Sequence, residues 1–231
     1  MHRLAKAIRE EYLSARMNTP EFDGLCLVFS DAFVPGEGEH KILDFIRSQR
    51  NQPDYDPNQS HCIYGADADL IMLGLSTHEP NFYILREAVQ AQPANKDKAC
   101  FKCGQKGHMS YDCGKPEKPV KIVEFQFVKI SVLREYLQLE FKDCQPTKFQ
   151  FDFERIVDDF VFLCFLVGND FLPHLPSLQI REGALDAILV IYKNLLPRMT
   201  DYLANEGQLS LENADLLFKD ISKLEEEQFK L

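Results

Sequence analysis

Apolar positions along the chain change period several times, and each change marks an element. Leu4, Ile8 and Tyr12 recur at i, i+4 and i+8, which predicts an amphipathic helix over residues 3–17 that Pro20 ends. Residues 25–29 (LCLVF) form a short unbroken apolar run instead, the pattern of a buried strand. The loop AFVPGEGEH follows Ser30 and Asp31, and Ile42, Phe45 and Ile46 then share one face of a helix over 41–50. A polar, proline-containing connection, NQPDYDPNQS (51–60), leads to a second predicted strand at 61–64, a GADAD loop and the apolar helix start LIMLGL. Residues 82–85 (FYIL) predict a third strand. Strand, loop and helix repeated in this order are the signature of a parallel α/β sheet. In such sheets functional groups collect in loops at the carboxyl ends of the strands, where both acid-rich loops fall.

Residues 89–121 break the pattern. VQAQPANKDKA and GKPEKP have linker composition, and a compact Cys/His cluster lies between them. Residues 120–130 (VKIVEFQFVKI) alternate as a strand does, and Leu133, Tyr136, Leu137 and Phe141 suit one face of a helix. From Phe153 the chain reads as helical: FERIVDDFVFLCFLV, REGALDAILVIYKNLLP, and a polar helix from Leu211. The expected organisation is an α/β segment over 1–88, a linker with the Cys/His cluster over 89–121, and a strand plus helical segment over 122–231. No internal repeat or low-complexity tract is present.

At 231 residues, 45% hydrophobic and 27% charged, the composition is globular. The longest apolar run, 160–167, is too short to span a bilayer, and MHRLAKAIREEY has no apolar signal core. Seven cysteines are an odd number, with three at metal spacing, so a disulfide framework is not expected. These features lead to the expectation of a soluble intracellular protein. A net charge of −10 weighs against a nucleic-acid partner only until its distribution is considered. Several acids occur as close pairs beside glycines, and carboxylates holding divalent cations add negative charge without repelling a phosphate once metal is bound.

The segment CFKCGQKGHMSYDC holds Cys100, Cys103, His108 and Cys113 in the spacing C-x2-C-x4-H-x4-C. Three thiolates and one imidazole within so short a stretch close a tetrahedral Zn²⁺ shell, and zinc binding would supply most of the segment's folding free energy. It resembles a zinc knuckle, a module used to bind single-stranded nucleic acid. Phe101 and Met109 stand where apolar side chains can stack on bases, and Lys102 and Lys106 could meet phosphates. Some knuckles only brace a fold or bind protein, and the sequence leaves both uses open.

Three glycine-punctuated loops carry the remaining chemistry. VPGEGEHK holds Glu37 and Glu39, GADADL holds Asp67 and Asp69, and VGNDFLPHLP places Asp170 after an apolar helix. Taken singly, each is also an ordinary turn at a helix end, with acids near a helix N-terminus or glycine at a helix stop. Taken together, five carboxylates at one edge of a sheet would repel one another unless cations sat between them. Their hard oxygen donors favour Mg²⁺ or Mn²⁺. A pair of such ions roughly 4 Å apart suits phosphodiester hydrolysis. His61, at the start of its strand, reads as structural.

VPGEGEHKILDFIRSQR, CIYGADADLIMLGLSTHEPNFYILRE and FLVGNDFLPHLPSLQIREGALD together resemble the 5′→3′ exoribonuclease family, which has cytoplasmic and nuclear members, in order and in approximate spacing. The knuckle between GADAD and GNDF resembles the nuclear branch. The resemblance implies a PIN-like, flap-nuclease-related parallel-sheet core, then the knuckle insertion and an α-helical segment. It implies processive release of mononucleotides from single-stranded RNA bearing a 5′-monophosphate, with Mg²⁺ or Mn²⁺ held by Glu37, Glu39, Asp67, Asp69 and Asp170. A nuclear place in RNA processing follows from the branch, with the cytoplasm as the alternative. The family's further aspartates and its basic 5′-phosphate cluster have no counterpart in residues 1–30, so the chain is expected to be an internal portion, weakly active or inactive alone. The alternative is a shortened, catalytically dead relative that binds RNA through the knuckle; a structure-specific endonuclease with the same metal chemistry is a third reading.

Overall fold

The computed structural model describes residues 1–13, 19–88, 114, 123–169, 172–175 and 183–228. The chain divides into two compact units, residues 1–56 and 57–231. No helix among the described residues is long and apolar enough to cross a membrane.

In the first unit, helix α1 (His2–Ala7) runs into a wider π-helical turn, Ile8–Leu13, so the opening helix forms with a change of winding as far as Leu13, and the rest of the expected span, 14–17, lies outside the described residues. Residues 25–29 do not form the expected buried strand. They join no ladder among the described residues, and Leu27 and Val28 are 50% and 65% exposed. An apolar run becomes a strand only where a neighbouring strand takes its N–H and C=O groups, and the described residues of the first unit supply none. Helix α2 (Gly38–Arg50) starts at Glu37 and buries Leu43 and Ile46. Its inward face is therefore rotated from the predicted one, leaving Ile42 and Phe45 exposed.

The second unit is built on a three-stranded mixed sheet of order β1-β2-β3. Strands β1 (His61–Tyr64) and β2 (Phe82–Glu87) are parallel, joined by helix α3 (Asp69–Ser76). Strand β3 (Phe125–Lys129) is antiparallel to β2 and feeds directly into helix α4 (Ile130–Glu140). The sheet is thus parallel only in its βαβ half. One face packs under the helices, with Ile63, Phe82 and Ile84 buried alongside Leu70, Leu75 and Ile130. The fit is close: a Cβ added at Gly74 of α3 would stand 3.0 Å from both Phe82 and Ile130. The opposite face is open, with Tyr64 65% and Phe127 60% exposed. The Tyr64–Phe125 and Tyr83–Phe127 ring pairs stand there at 6.1 and 6.3 Å.

Helix α5 (Phe153–Leu166) is capped by Asp152, which accepts from the Glu154 N–H at 2.9 Å, and buries Ile156, Val157, Phe160 and Leu163. Helix α6 (Ala184–Leu195), a short hairpin β4 (Ala204–Asn205) and β5 (Gln208–Leu209), and helix α7 (Leu211–Gln228) complete the helical part. Its centre is the fully buried Asp159, which accepts from the Tyr192 hydroxyl at 2.6 Å and from the N–H groups of Leu203 and Ala204 at 2.9 and 2.7 Å.

Candidate functional site

The ladder of β1 carries on past Tyr64, because the Gly65 N–H donates to the Leu85 carbonyl at 3.0 Å. The chain then turns sharply into α3. Leu70 of the helix's first turn folds back over Gly65 so closely that a Cβ there would sit 2.5 Å from Leu70 Cδ1, and any larger residue would push the Leu70 side chain aside. The turn leaves Asp67 exposed before the helix and Asp69 half-buried in its first turn. The Asp69 N–H points at Asp67 Oδ1 across 3.5 Å, and the partial positive charge of the helix N-terminus favours both carboxylates.

The carboxyl end of α5 meets this turn. Gly168 stops the helix at φ +97°, where a Cβ would come within 2.8 Å of the His174 nitrogen. Asn169 then closes a loop on itself: its N–H donates to the Leu172 carbonyl at 2.9 Å, and its side-chain oxygen accepts from the Leu172 N–H at 2.7 Å. Ala68, Asp69 and Met72 on one side and Cys164, Phe165, Val167, Gly168 and Asn169 on the other line a cavity of about 200 Å³, with Leu185 at its edge. The walls are apolar, and Asp69 and Asn169 supply the oxygen donors. Cys164 is no nucleophile, since burial pushes its thiol up to about 12.

The second unit thus brings the GADAD loop and the glycine–asparagine turn of VGNDF to one cavity. Asp170 itself lies outside the described residues, although it follows Asn169 directly in sequence. Glu37 and Glu39 occupy the matching position in the first unit, at the start and in the first turn of α2, with Glu37 4.0 Å from His40. Cys100, Cys103, His108, Cys113, Phe101, Met109, Lys102 and Lys106 also lie outside the described residues. Among the described residues no three His, Cys, Asp or Glu side chains gather as a metal site. Carboxylate and amide oxygens are nevertheless the donor chemistry that Mg²⁺ or Mn²⁺ takes. His61 is buried 3.7 Å from the buried Glu79 and stacks on Phe82, in the core rather than at the cavity.

Sequence reasoning missed three polar arrangements: His78 between Glu154 and Asp158, the Asp159–Tyr192 centre, and Arg86 at the end of β2. Each depends on residues far apart in the chain or on burial, so no local motif announces it.

Three segments of the chain match known families. Residues 1–88 match the family described as "XRN 5'-3' exonuclease N-terminus", residues 98–115 match "Zinc knuckle", and residues 150–231 match "Xrn1 helical domain". The chain is 48% identical to the 5'-3' exoribonuclease 2 of Gallus gallus over its whole length, covering 25% of that protein. It is 47% and 46% identical to the homologues from Caenorhabditis briggsae and Drosophila melanogaster, covering 24% and 26% of them. The chain therefore spans about a quarter of the curated relatives it matches, and with both XRN segments and the knuckle in register it belongs to the 5′→3′ exoribonuclease family.

Proposed function

We propose that this chain forms part of a nuclear-type 5′→3′ exoribonuclease that hydrolyses 5′-monophosphorylated RNA to mononucleotides, on a core related to PIN-like and flap nucleases. In this reading Glu37, Glu39, Asp67, Asp69 and Asp170 hold Mg²⁺ or Mn²⁺, and Cys100, Cys103, His108 and Cys113 hold a structural Zn²⁺. The observation that carries the reading is the cavity lined by both Asp69 of the GADAD loop and Asn169, the residue before Asp170. Cations held by these carboxylates would supply Lewis-acid chemistry for phosphodiester hydrolysis.

The chain's own residues set the conditions for that chemistry. Gly168 ends the helix before Asp170 in a left-handed conformation that a side chain would strain, and Gly65 lets Leu70 close over the start of the GADAD loop. The apolar walls from Met72, Phe165 and Val167 exclude water from one side and strengthen electrostatic interactions at the rim. The knuckle contributes Phe101 and Met109 to stack on bases, with Lys102 and Lys106 for phosphates.

The test uses the complete enzyme with linear 5′-monophosphorylated RNA, the same RNA circularised, and EDTA. Mononucleotides are expected from the linear substrate alone, and none in EDTA. Cleavage of the circle would overturn the exonuclease reading, and hydrolysis insensitive to EDTA would overturn the metal reading.

A further inference from the structure

Arg86 occupies the carboxyl end of β2 and belongs to the helix-covered side of the sheet, since side chains alternate along a strand and Phe82 and Ile84 are buried there. Tyr64 pairs with Leu85 in the parallel ladder, so Arg86 stands beside Gly65, about 4.8 Å away by ordinary strand spacing. Gly65 opens the GADAD loop, and Leu70 of α3 closes over it. Arg86 is therefore the cation at the sheet edge from which Asp67 and Asp69 project.

Arg134 also buries one nitrogen, Nη1, without an acceptor, but the guanidinium of Arg86 differs in having no partner at all among the described residues. Arg134 pairs with Glu154 and stacks on Phe153, Arg155 donates to the Ala204 carbonyl, and Arg198 pairs with Asp220. The Nε of Arg86 is buried and meets no acceptor, and among the described residues Arg86 forms no ion pair, not even with the nearby loop aspartates. Nε itself is closed off, but the rest of this half-buried guanidinium donates to no group among the described residues, and a ligand that reaches it must bring oxygens. Its planar fork matches the two oxygens of a phosphate. The flanking carboxylates are the wrong environment for a free carboxylate ligand but suit a phosphodiester bridged by cations.

We infer that Arg86 is a phosphate-binding residue, taking a backbone phosphate of an RNA strand at the sheet edge beside the acid loop. The naming of RNA as ligand rests on the nuclease reading above. The experiment is equilibrium binding of a fluorescent 5′-hydroxyl oligouridylate, which lacks the 5′-monophosphate needed for hydrolysis, to the full chain in Mg²⁺, across a range of salt, for wild type, Arg86→Met and Arg86→Lys. Loss of one phosphate contact should lower the slope of log K against log salt by about 0.7 in Arg86→Met, while Arg86→Lys keeps the slope. Because the guanidinium is unsatisfied without RNA, Arg86→Met should leave the melting temperature of the free chain unchanged or raise it. An unchanged slope in Arg86→Met would overturn the inference, as would a melting temperature lowered by several degrees or absence of RNA binding by wild type at low salt. Asp67→Asn in the complete enzyme separates the two readings: retained hydrolysis there defeats the metal assignment and leaves the Arg86 slope standing.

Discussion

Nε2 of His78 lies 2.8 Å from an oxygen of Asp158, eighty positions further along the chain, while Nδ1 of the same ring lies 2.6 Å from Glu154. His78 follows α3 in a left-handed backbone conformation, φ +56°, which turns its ring toward the first turns of α5. Arg134 of α4 pairs with the other oxygen of Glu154. One imidazole and one guanidinium thus tie together the ends of three helices. With a carboxylate at each ring nitrogen the doubly protonated form is favoured, chiefly by the Asp158 hydrogen bond, and this outweighs burial and raises the His78 pKa.

The sign of the resulting pH dependence is fixed. A histidine raised above its ordinary 6.5 contributes stability that is complete below that value and lost as pH rises through the higher folded value. For Glu154, burial opposes ionisation but Arg134 and His78 more than compensate, so its pKa falls below 4.5 and its contribution is lost only as pH falls through that lower value. His78→Gln should therefore cost about 1 kcal/mol at a pH between these limits and distinctly less in mild alkali, once solvent screening of these part-exposed groups is allowed for. Urea denaturation at both pH values checks it; an equal loss at both would refute the linkage.

Asp159 satisfies three donors in the helical core, and burial raises its own pKa to about 6. Asp159→Ala leaves the Tyr192 hydroxyl and two backbone N–H groups buried without acceptors, a loss of about 3–5 kcal/mol. Asp159→Asn keeps one acceptor oxygen and should cost less. A carboxyl whose folded pKa is raised favours the folded state at low pH and loses that advantage as pH climbs through about 6. The asparagine variant should remove this slope, which thermal melts from mildly acidic to neutral pH would display.

Asp67→Asn and Asp69→Asn preserve shape and remove charge. In the complete enzyme each should reduce exonuclease activity to at most a few per cent of wild type with an unchanged far-ultraviolet dichroism spectrum. Substantial residual turnover would remove these residues from the metal-binding set.

Gly168→Ala meets two obstacles, a φ of +97° and a backbone nitrogen 2.8 Å from the new methyl. The expected cost is about 1–3 kcal/mol of stability, with a loss of activity from displacement of the adjoining Asn169–Asp170 loop. Gly114→Ala, where a Cβ meets nothing within 4 Å, is the control and should be close to neutral.

Cys113→Ser removes one of four proposed zinc ligands. Metal analysis of the purified chain should fall from about one zinc per molecule to well below it. An unchanged zinc content would exclude Cys113 from the shell.

Much of the secondary structure was legible in local pattern. The strands at 61–64 and 82–85, the helix after GADAD, the helices from Phe153 and Leu211, and the glycine stop before Asp170 all appear near their expected positions, because period, capping and turn chemistry act over a few residues. The linear motifs also carried the family, since GEGEHK, GADADL and the Cys/His spacing are read without any fold.

What needed the tertiary structure is whatever depends on a distant partner. Residues 25–29 have strand composition but no strand to pair with among the described residues, and Leu25, Leu27 and Val28 stay exposed. Ile42 and Phe45 share a helical face with Ile46, yet only the packing of α2 decided that Leu43 and Ile46 point inward. The cavity between Asp69 and Asn169, the His78 clasp and the unanswered Nε of Arg86 join groups up to a hundred residues apart. Local sequence supplied the carboxylates, thiols and cations from which metal and phosphate chemistry is proposed. Only the fold decided which of them meet, because burial and hydrogen bonding are settled by neighbours in space rather than along the chain.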